Sequence, residues 1–247
     1  MPEASPSSSV STSTRTGAKS TPRTDRGLAL FDLDHTLIPI DSDVMWAEHL
    51  VKLGVVDAAW HSKRNDYFYE QYKQGTLDID EFLAFQLAPL GAHSRSTLEN
   101  WRSEFLQTEV MPKLLSSAKD LVAKHQAAGD LVAIVTATNE FITRPIADAF
   151  GVEHLIATLV ETKGDGEFTG RHAGLPSFRE GKIVRVAQWL AEQEDCLLHD
   201  FATSTFYSDS LNDLPLLAQV THPVATNPDP TLLAHAQAQG WPVLRLW

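Results

Sequence analysis

Short apolar runs alternate with helix-periodic stretches along this chain. LALFDLD (28–34), LVAIVTATN (131–139), STFYSDS (204–210) and HPVATN (222–227) are such runs, and WPVLRLW closes the sequence. Nearly continuous apolar runs of this length predict strands buried on both faces. Helical patterns follow two of them, one reaching Phe150 and one reading LNDLPLLAQV. Strands alternating with helices predict an α/β fold, a Rossmann-like parallel sheet with helices on both faces. Around Gly164-Asp165-Gly166 the stretch TLVETKGDGEFTGRH alternates with a period of two, which predicts a hairpin.

About 95 residues separate the first strand from the second, too many for one crossover. They read as amphipathic helices over 42–54, 58–75 and 78–91 and one long helical stretch over 96–129. Gly54, Gly75, Gly91 and Gly129 each follow a helical stretch, the place of a C-cap glycine. The expected organisation is an α/β core over 27–40 and 116–247 with a helical cap inserted after the first strand over 41–115. Residues 1–26 carry 12 Ser or Thr and almost nothing to bury, so they are expected to be a disordered tail.

Composition narrows the function. The net charge of -12 argues against nucleic acid and against an anionic membrane surface as partners. No apolar run reaches the 18 residues of a membrane span, and the first residues lack the apolar core of a signal peptide. Cys196 is the only cysteine, which rules out an intramolecular disulfide and a cysteine-based metal site. A cytoplasmic protein is the expectation.

The chemistry-bearing residues fall where the predicted strands end, the edge at which open α/β sheets bind ligands. Asp32 and Asp34 stand two apart after the first strand, where an extended chain points both to one side. Carboxylates so close repel unless a cation shares them, which points to a hard divalent ion with oxygen ligands. Asp209 and Asp213, four apart, share one face of an incipient helix. Thr136 ends the second strand, where a hydroxyl and free N–H groups suit an anion. Lys182 opens a later helix. Read singly, each of these also fits a turn, a helix cap or a solvated side chain.

Their order is more specific. Asp-x-Asp-x-Thr, then Thr, then Lys, then Asp-x-x-x-Asp resembles the haloacid dehalogenase-like superfamily over residues 27–227. DLDHTL, VTATN and YSDSLNDLPLL, with the helical insert after the first strand, are similar to its phosphoserine phosphatase-like subgroup. The resemblance implies a phosphatase, a phosphoric monoester hydrolase acting on a small phosphorylated metabolite. It makes Asp32 the nucleophile of an aspartyl-phosphate intermediate and Asp34 the acid and base. Mg²⁺ is then held by Asp32, Asp209 and the main-chain oxygen of Asp34, with Asp213 orienting the metal-bound water or Lys182. Thr136, Ala137, Lys182 and Asn212 bind the phosphoryl group.

Two departures bear on the substrate. Thr-Ala-Thr-Asn replaces the Ser-Gly-Gly of phosphoserine phosphatases and narrows the space beside the phosphate. Asp41, nine residues after Asp32, stands where those enzymes carry a Glu that reads the substrate amine, and Asp43 is a second candidate for that role. An amino-bearing ester such as histidinol phosphate, or a phosphoserine-like compound, is the expected substrate. Capping of the first cap helix is the alternative role for both aspartates. Two other readings stand beside hydrolysis: transfer of the phosphoryl group to an alcohol, and phosphate binding without catalysis.

Overall fold

The computed structural model describes residues 24–247. In chain order they form β1 (Leu28–Phe31), α1 (Ser42–Lys52), α2 (Ala58–Gln74), α3 (Ile79–Ala92), α4 (Arg95–Phe105) and α5 (Ser116–Ala127). There follow β2 (Leu131–Asn139), α6 (Glu140–Ala149), β3 (His154–Thr162), β4 (Phe168–Ala173) and α7 (Glu180–Glu194). The chain ends with β5 (Ser204–Ser208), α8 (Leu214–Leu217), β6 (His222–Thr226), α9 (Pro230–Gln239) and β7 (Val243–Leu244).

The seven strands make one sheet in the order β4-β3-β2-β1-β5-β6-β7. All neighbours are parallel except β3 and β4, the expected hairpin. β1 lies at the centre with Phe31 beside Ile134 on one side and Tyr207 on the other. From β1 the chain builds outward through β2, β3 and β4 on one side and then crosses back to place β5 on the other, so the ends of β1, β2 and β5 form the crevice where such sheets take ligands.

Side-chain alternation divides the core. Leu28 and Leu30 face α7, α8 and α9, packing with Val186, Leu190, Leu217 and Leu232. Ala29 and Phe31 face the other way, into a cluster with Val122 of α5 and Ile142 and Ile146 of α6. The same cluster takes in Trp46 of α1, Leu83 and Leu87 of α3 and Leu98 and Phe105 of α4. Trp46 meets Phe141 edge to face at 6.1 Å. The aromatic residues of these helices therefore pack on the sheet layer as well as on one another. α2 differs: of its 17 residues only His61 and Phe68 are buried.

Two expectations about the helices change. The long stretch over 96–129 is not one helix: α4 widens into a π-helical turn over Leu106–Val110 and a 3-10 turn over Met111–Lys113 before α5 begins. Pro112 is the cause, since it has no N–H to continue the ladder and its ring crowds the preceding turn. Gly91 is not a cap but lies inside α3. A Cβ there would come 2.5 Å from the carbonyl oxygen of Thr169, so glycine is required for α3 to lie against β4. Gly75 does cap α2 in the left-handed conformation, with φ 71°.

The tail expected over residues 1–26 lies outside the described residues up to position 23. Its last three residues are held rather than loose. Thr24 pairs with Phe201, and Arg26 Nε donates to the Gly129 carbonyl at 3.0 Å. No helix among the described residues is long and apolar enough to cross a membrane.

Candidate active site

The loop leaving β1 is wound about one carbonyl. The N–H groups of Thr36, Leu37 and Ile38 all donate to Leu33 O, and His35 takes a positive φ of 55° to allow it. Asp32 stays in line with the sheet, its N–H bonded to Tyr207 O at 2.9 Å. Its carboxylate is buried and held from two sides. Lys182 Nζ donates to Oδ1 at 2.8 Å, and the Thr36 hydroxyl lies 3.1 Å from Oδ2.

Lys182 also reaches Asp213 Oδ2 at 2.7 Å, and that oxygen accepts from the Ser208 hydroxyl at 2.7 Å. Burial works against the ammonium, but the Asp213 and Asp32 carboxylates outweigh it and raise the Lys182 pKa. The two carboxylates favour its charged form. Burial is also the main influence on Asp32, whose pKa is raised to about 6 against the pull of Lys182.

Asp34 lines the same cavity but is held by other partners. Its Oδ1 accepts from Ser42 N at 2.7 Å and its Oδ2 from the Thr138 hydroxyl at 2.8 Å. Burial, then the neighbouring Asp41 charge, raises its pKa to about 6.

The Thr36 hydroxyl is also 3.1 Å from Asp209 Oδ1, so the carboxylates of Asp32 and Asp209 meet at one hydrogen-bonding group. One hydroxyl proton serves only one of them. Burial, then the Asp32 charge, raises the Asp209 pKa well above its usual value. These are hard oxygen donors in want of positive charge, and they fit Mg²⁺, which takes one or two carboxylates and keeps several waters. No group of three or more acidic, His or Cys side chains that could hold a metal occurs among the described residues. The set expected from sequence has two side chains and a main-chain oxygen.

Two of the phosphate-binding candidates, Thr136 and Ala137, sit on an irregularity of β2. Val135 pairs with Ile156 and Asn139 with Thr158, so β2 spends two extra residues between those pairs. Such a bulge re-aims side chains. Thr136, Ala137 and Thr138 turn into the crevice there, and Thr136 Oγ1 accepts from Thr138 N at 3.2 Å.

α7, which carries Lys182, is entered through a tight turn over residues 178–181. Gly181 N donates to Phe178 O at 2.8 Å, and Arg179 between them has φ 50° and ψ −120°. That is the first central position of a type II′ turn, where glycine is the expected residue. For arginine the conformation costs about 1–3 kcal/mol. The Arg179 side chain reaches Asn212, donating from Nε at 3.0 Å and from Nη2 at 2.8 Å to Oδ1.

Asp32, Asp34, Thr136, Ala137, Lys182, Asp209, Asn212 and Asp213 all line one cavity of about 460 Å³, together with Asp41 and Asp43. Asp41 caps α1, with Oδ1 accepting from the N–H groups of Asp43 and Val44. Asp43 is buried and accepts from Asn139 Nδ2 at 3.3 Å. Helices α2 and α3 supply an aromatic wall of Phe68, Tyr69, Tyr72 and Phe82. Tyr72 crosses to the opposite side, its hydroxyl 2.8 Å from Ser210 Oγ.

Sequence reasoning left Thr138, Ser208, Ser210 and Tyr72 without a role. The first three are hydroxyls within two residues of a motif carboxylate or threonine, a proximity that signalled them. Tyr72 had no such signal, because it arrives from a separate helix.

The family model of haloacid dehalogenase-like hydrolases matches residues 29–218. A protein of Neisseria meningitidis named histidinol-phosphatase is 47% identical over 219 residues, covering 89% of this chain and 98% of its own. Among solved structures, a Bordetella pertussis protein of unknown function is 54% identical with a TM-score of 0.85, covering 91% of this chain and all of the other. A substrate-bound phosphoserine phosphatase has the same fold at 18% identity, with a TM-score of 0.64 over 90% of this chain and 93% of that one. By its sequence and by its fold, the chain belongs to the haloacid dehalogenase-like hydrolase family.

Proposed function

We propose that this chain is a Mg²⁺-dependent phosphatase that hydrolyses a small phosphate monoester through an aspartyl-phosphate on Asp32. The observation that carries it is the environment of Asp32, a buried carboxylate at the floor of the cavity, held by Lys182 and Thr36. A carboxylate so held is fixed for in-line attack while its neighbours supply the charge that a phosphate dianion needs.

In the first step the Asp32 oxygen bonds to phosphorus and the bond to the ester oxygen breaks. Asp34 gives its proton to the departing alkoxide. In the second, Asp34 takes a proton from water as the water oxygen bonds to phosphorus. The bond to Asp32 breaks, and phosphate leaves with both aspartates restored. Lys182, the Thr136 hydroxyl and the N–H groups of the β2 bulge stabilise the phosphoryl oxygens. Asp32, Asp209 and the main-chain oxygen of Asp34 would hold Mg²⁺, which supplies Lewis-acid charge neutralisation when bound. Helices α1–α4 would act as the cap, with α2 covering the sheet edge.

The substrate reading is an amino-bearing ester, with histidinol phosphate as its leading member. The 47% identical Neisseria relative bears that activity in its name. The cavity has features that suit it: the carboxylates of Asp41 and Asp43 for a cationic group and the aromatic wall of α2 and α3 for a flat ring. The capping bonds of Asp41 both fall on Oδ1, and Asp43, the more deeply buried of the two, accepts from Asn139.

A screen of phosphorylated metabolites with Mg²⁺, run beside Asp32→Asn, tests both levels. Histidinol phosphate should be turned over ahead of phosphoserine and phosphoethanolamine, and Asp32→Asn should be inactive. A wild type that hydrolyses none of them, or a mutant that keeps its activity, overturns the assignment.

A further inference from the structure

Arg179 occupies a backbone position made for glycine, and the far end of its side chain shows what the position is used for. Both Nε and Nη2 converge on Asn212 Oδ1, at 3.0 and 2.8 Å. A guanidinium only donates, so the amide atom facing it must be the oxygen. This settles the orientation of the Asn212 amide. Its Nδ2 lies on the side of Ser210 Oγ, 3.4 Å away, and of the Tyr72 hydroxyl, which hydrogen-bonds the Asn212 side chain. Asn212 lines the cavity, whereas Arg179 stands behind it.

A phosphate group offers acceptors only. An asparagine free to rotate presents its oxygen to the phosphate as readily as its NH₂, and the oxygen repels it. We propose that Arg179 is a positioning residue for phosphate recognition, clamping Asn212 so that its amide NH₂ is the end presented to the bound phosphoryl group. The inference rests on the phosphatase reading above and adds to it a residue that does not touch the substrate.

The surroundings fit the role. The turn that strains Arg179 is rigid: a Cβ on Gly181 would come 2.1 Å from Pro176 O, and Ser177 is bonded through N to Thr158 Oγ1 and through Oγ to Ile156 O. The corner is therefore anchored to β3, and the side chain leaves it in one direction. The guanidinium also lies near the last turn of α2, with Nη2 3.5 Å from where a Cβ on Gly75 would stand. A cation is favoured at that carbonyl-rich helix end. Tyr72 in the same turn bonds Ser210 Oγ, which in turn accepts from Asn212 N at 3.2 Å. Asn212 is thus held on one side by Arg179 and on the other through Ser210.

Arg179→Gly gives the test its sign. Glycine suits φ 50°, so the variant relieves the turn while removing the clamp. It should melt within a few degrees of the wild type, yet bind inorganic phosphate as a competitive inhibitor roughly tenfold more weakly, with KM raised by a similar factor. In an Asn212→Ala background the same change should cost nothing further, since no amide remains to be oriented. The proposal is overturned if Arg179→Gly keeps the wild-type inhibition constant, if it loses binding only in step with a large fall in Tm, or if its cost is undiminished beside Asn212→Ala. A wild type that neither turns over p-nitrophenyl phosphate with Mg²⁺ nor binds inorganic phosphate overturns the phosphatase reading itself, a separate outcome.

Discussion

Lys182 Nζ lies 2.8 Å from Asp32 Oδ1, joining residues 150 positions apart in the chain. Both are buried, and Asp213 completes the group at 2.7 Å from the same ammonium. Two carboxylates at this depth are tolerable because one cation serves both. Removing it should therefore be costly twice over. Lys182→Ala should lower kcat by at least about a hundredfold through loss of phosphoryl charge stabilisation. It should also destabilise the metal-free protein by about 3–5 kcal/mol, the cost of leaving a buried charge unpaired. Thermal melts in chelator and steady-state assays read the two effects separately.

Thr138 and Asp34 are joined by a 2.8 Å hydrogen bond at the β2 bulge. Asp34→Asn should reduce kcat by about 10²–10⁴, the usual contribution of general acid–base catalysis. Thr138→Val removes only one donor to the carboxylate and should cost about tenfold. If both variants lost equal activity, Asp34 would be acting through structure rather than proton transfer.

Chelation should abolish turnover, and Mg²⁺ should restore it. Because Asp32 and Asp209 meet at Thr36, metal binding should also stabilise the fold independently of turnover. Saturating Mg²⁺ should raise the wild-type Tm by several degrees, and this shift should vanish in Asp209→Asn. Full activity in EDTA would sink the metal-dependent mechanism.

The metal-free protein should become less stable as the solution is made less acid. Asp32 and Asp34 are raised to about 6, above the value of a free aspartate. A raised carboxyl pKa favours the protonated form in the fold. Its stabilising contribution is full below the unfolded pKa and is lost as pH rises through about 6. Stability in chelator should therefore fall between about pH 4 and pH 6, by on the order of 2 kcal/mol per group. The slope should flatten in the Asp32→Asn, Asp34→Asn double variant. A wild-type Tm that rose over that interval would contradict the burial argument.

Gly91→Ala checks the seat of α3 on β4. The new methyl would stand 2.5 Å from Thr169 O and 2.7 Å from Gly170 N, both backbone atoms. Overpacking of this kind should destabilise by about 1–3 kcal/mol. Since α3 helps wall the cavity, KM should rise as well. Unchanged denaturation and unchanged KM would show that the two elements part without cost.

The fold was legible wherever a local pattern carried it. Apolar runs marked the central strands, the double-glycine turn marked the β3–β4 hairpin, and Gly75 marked the end of α2. The break within 96–129 is not legible, because amphipathic periodicity continues past Pro112 while the α-helical hydrogen-bond ladder does not. A glycine near a helix end fits either a cap or a close approach, and for Gly91 the deciding neighbour, Thr169, lies on another element. Asp41 had two roles open, and the structure shows it bonded as the cap of α1.

The sequence by itself determined which residue types stand at the strand ends, because strand and helix periodicities are local and the turns between them place Asp32, Asp34, Thr136, Asp209 and Asp213 without reference to distant contacts. Only the tertiary structure decided how they combine. Lys182 serves two carboxylates, Thr36 lies between Asp32 and Asp209, and Tyr72 reaches Ser210 across 138 positions. Arg179 bears a glycine's conformation to hold Asn212. Each of these depends on how separate elements pack, and packing is set by buried shape and charge across the whole molecule rather than by any stretch of it.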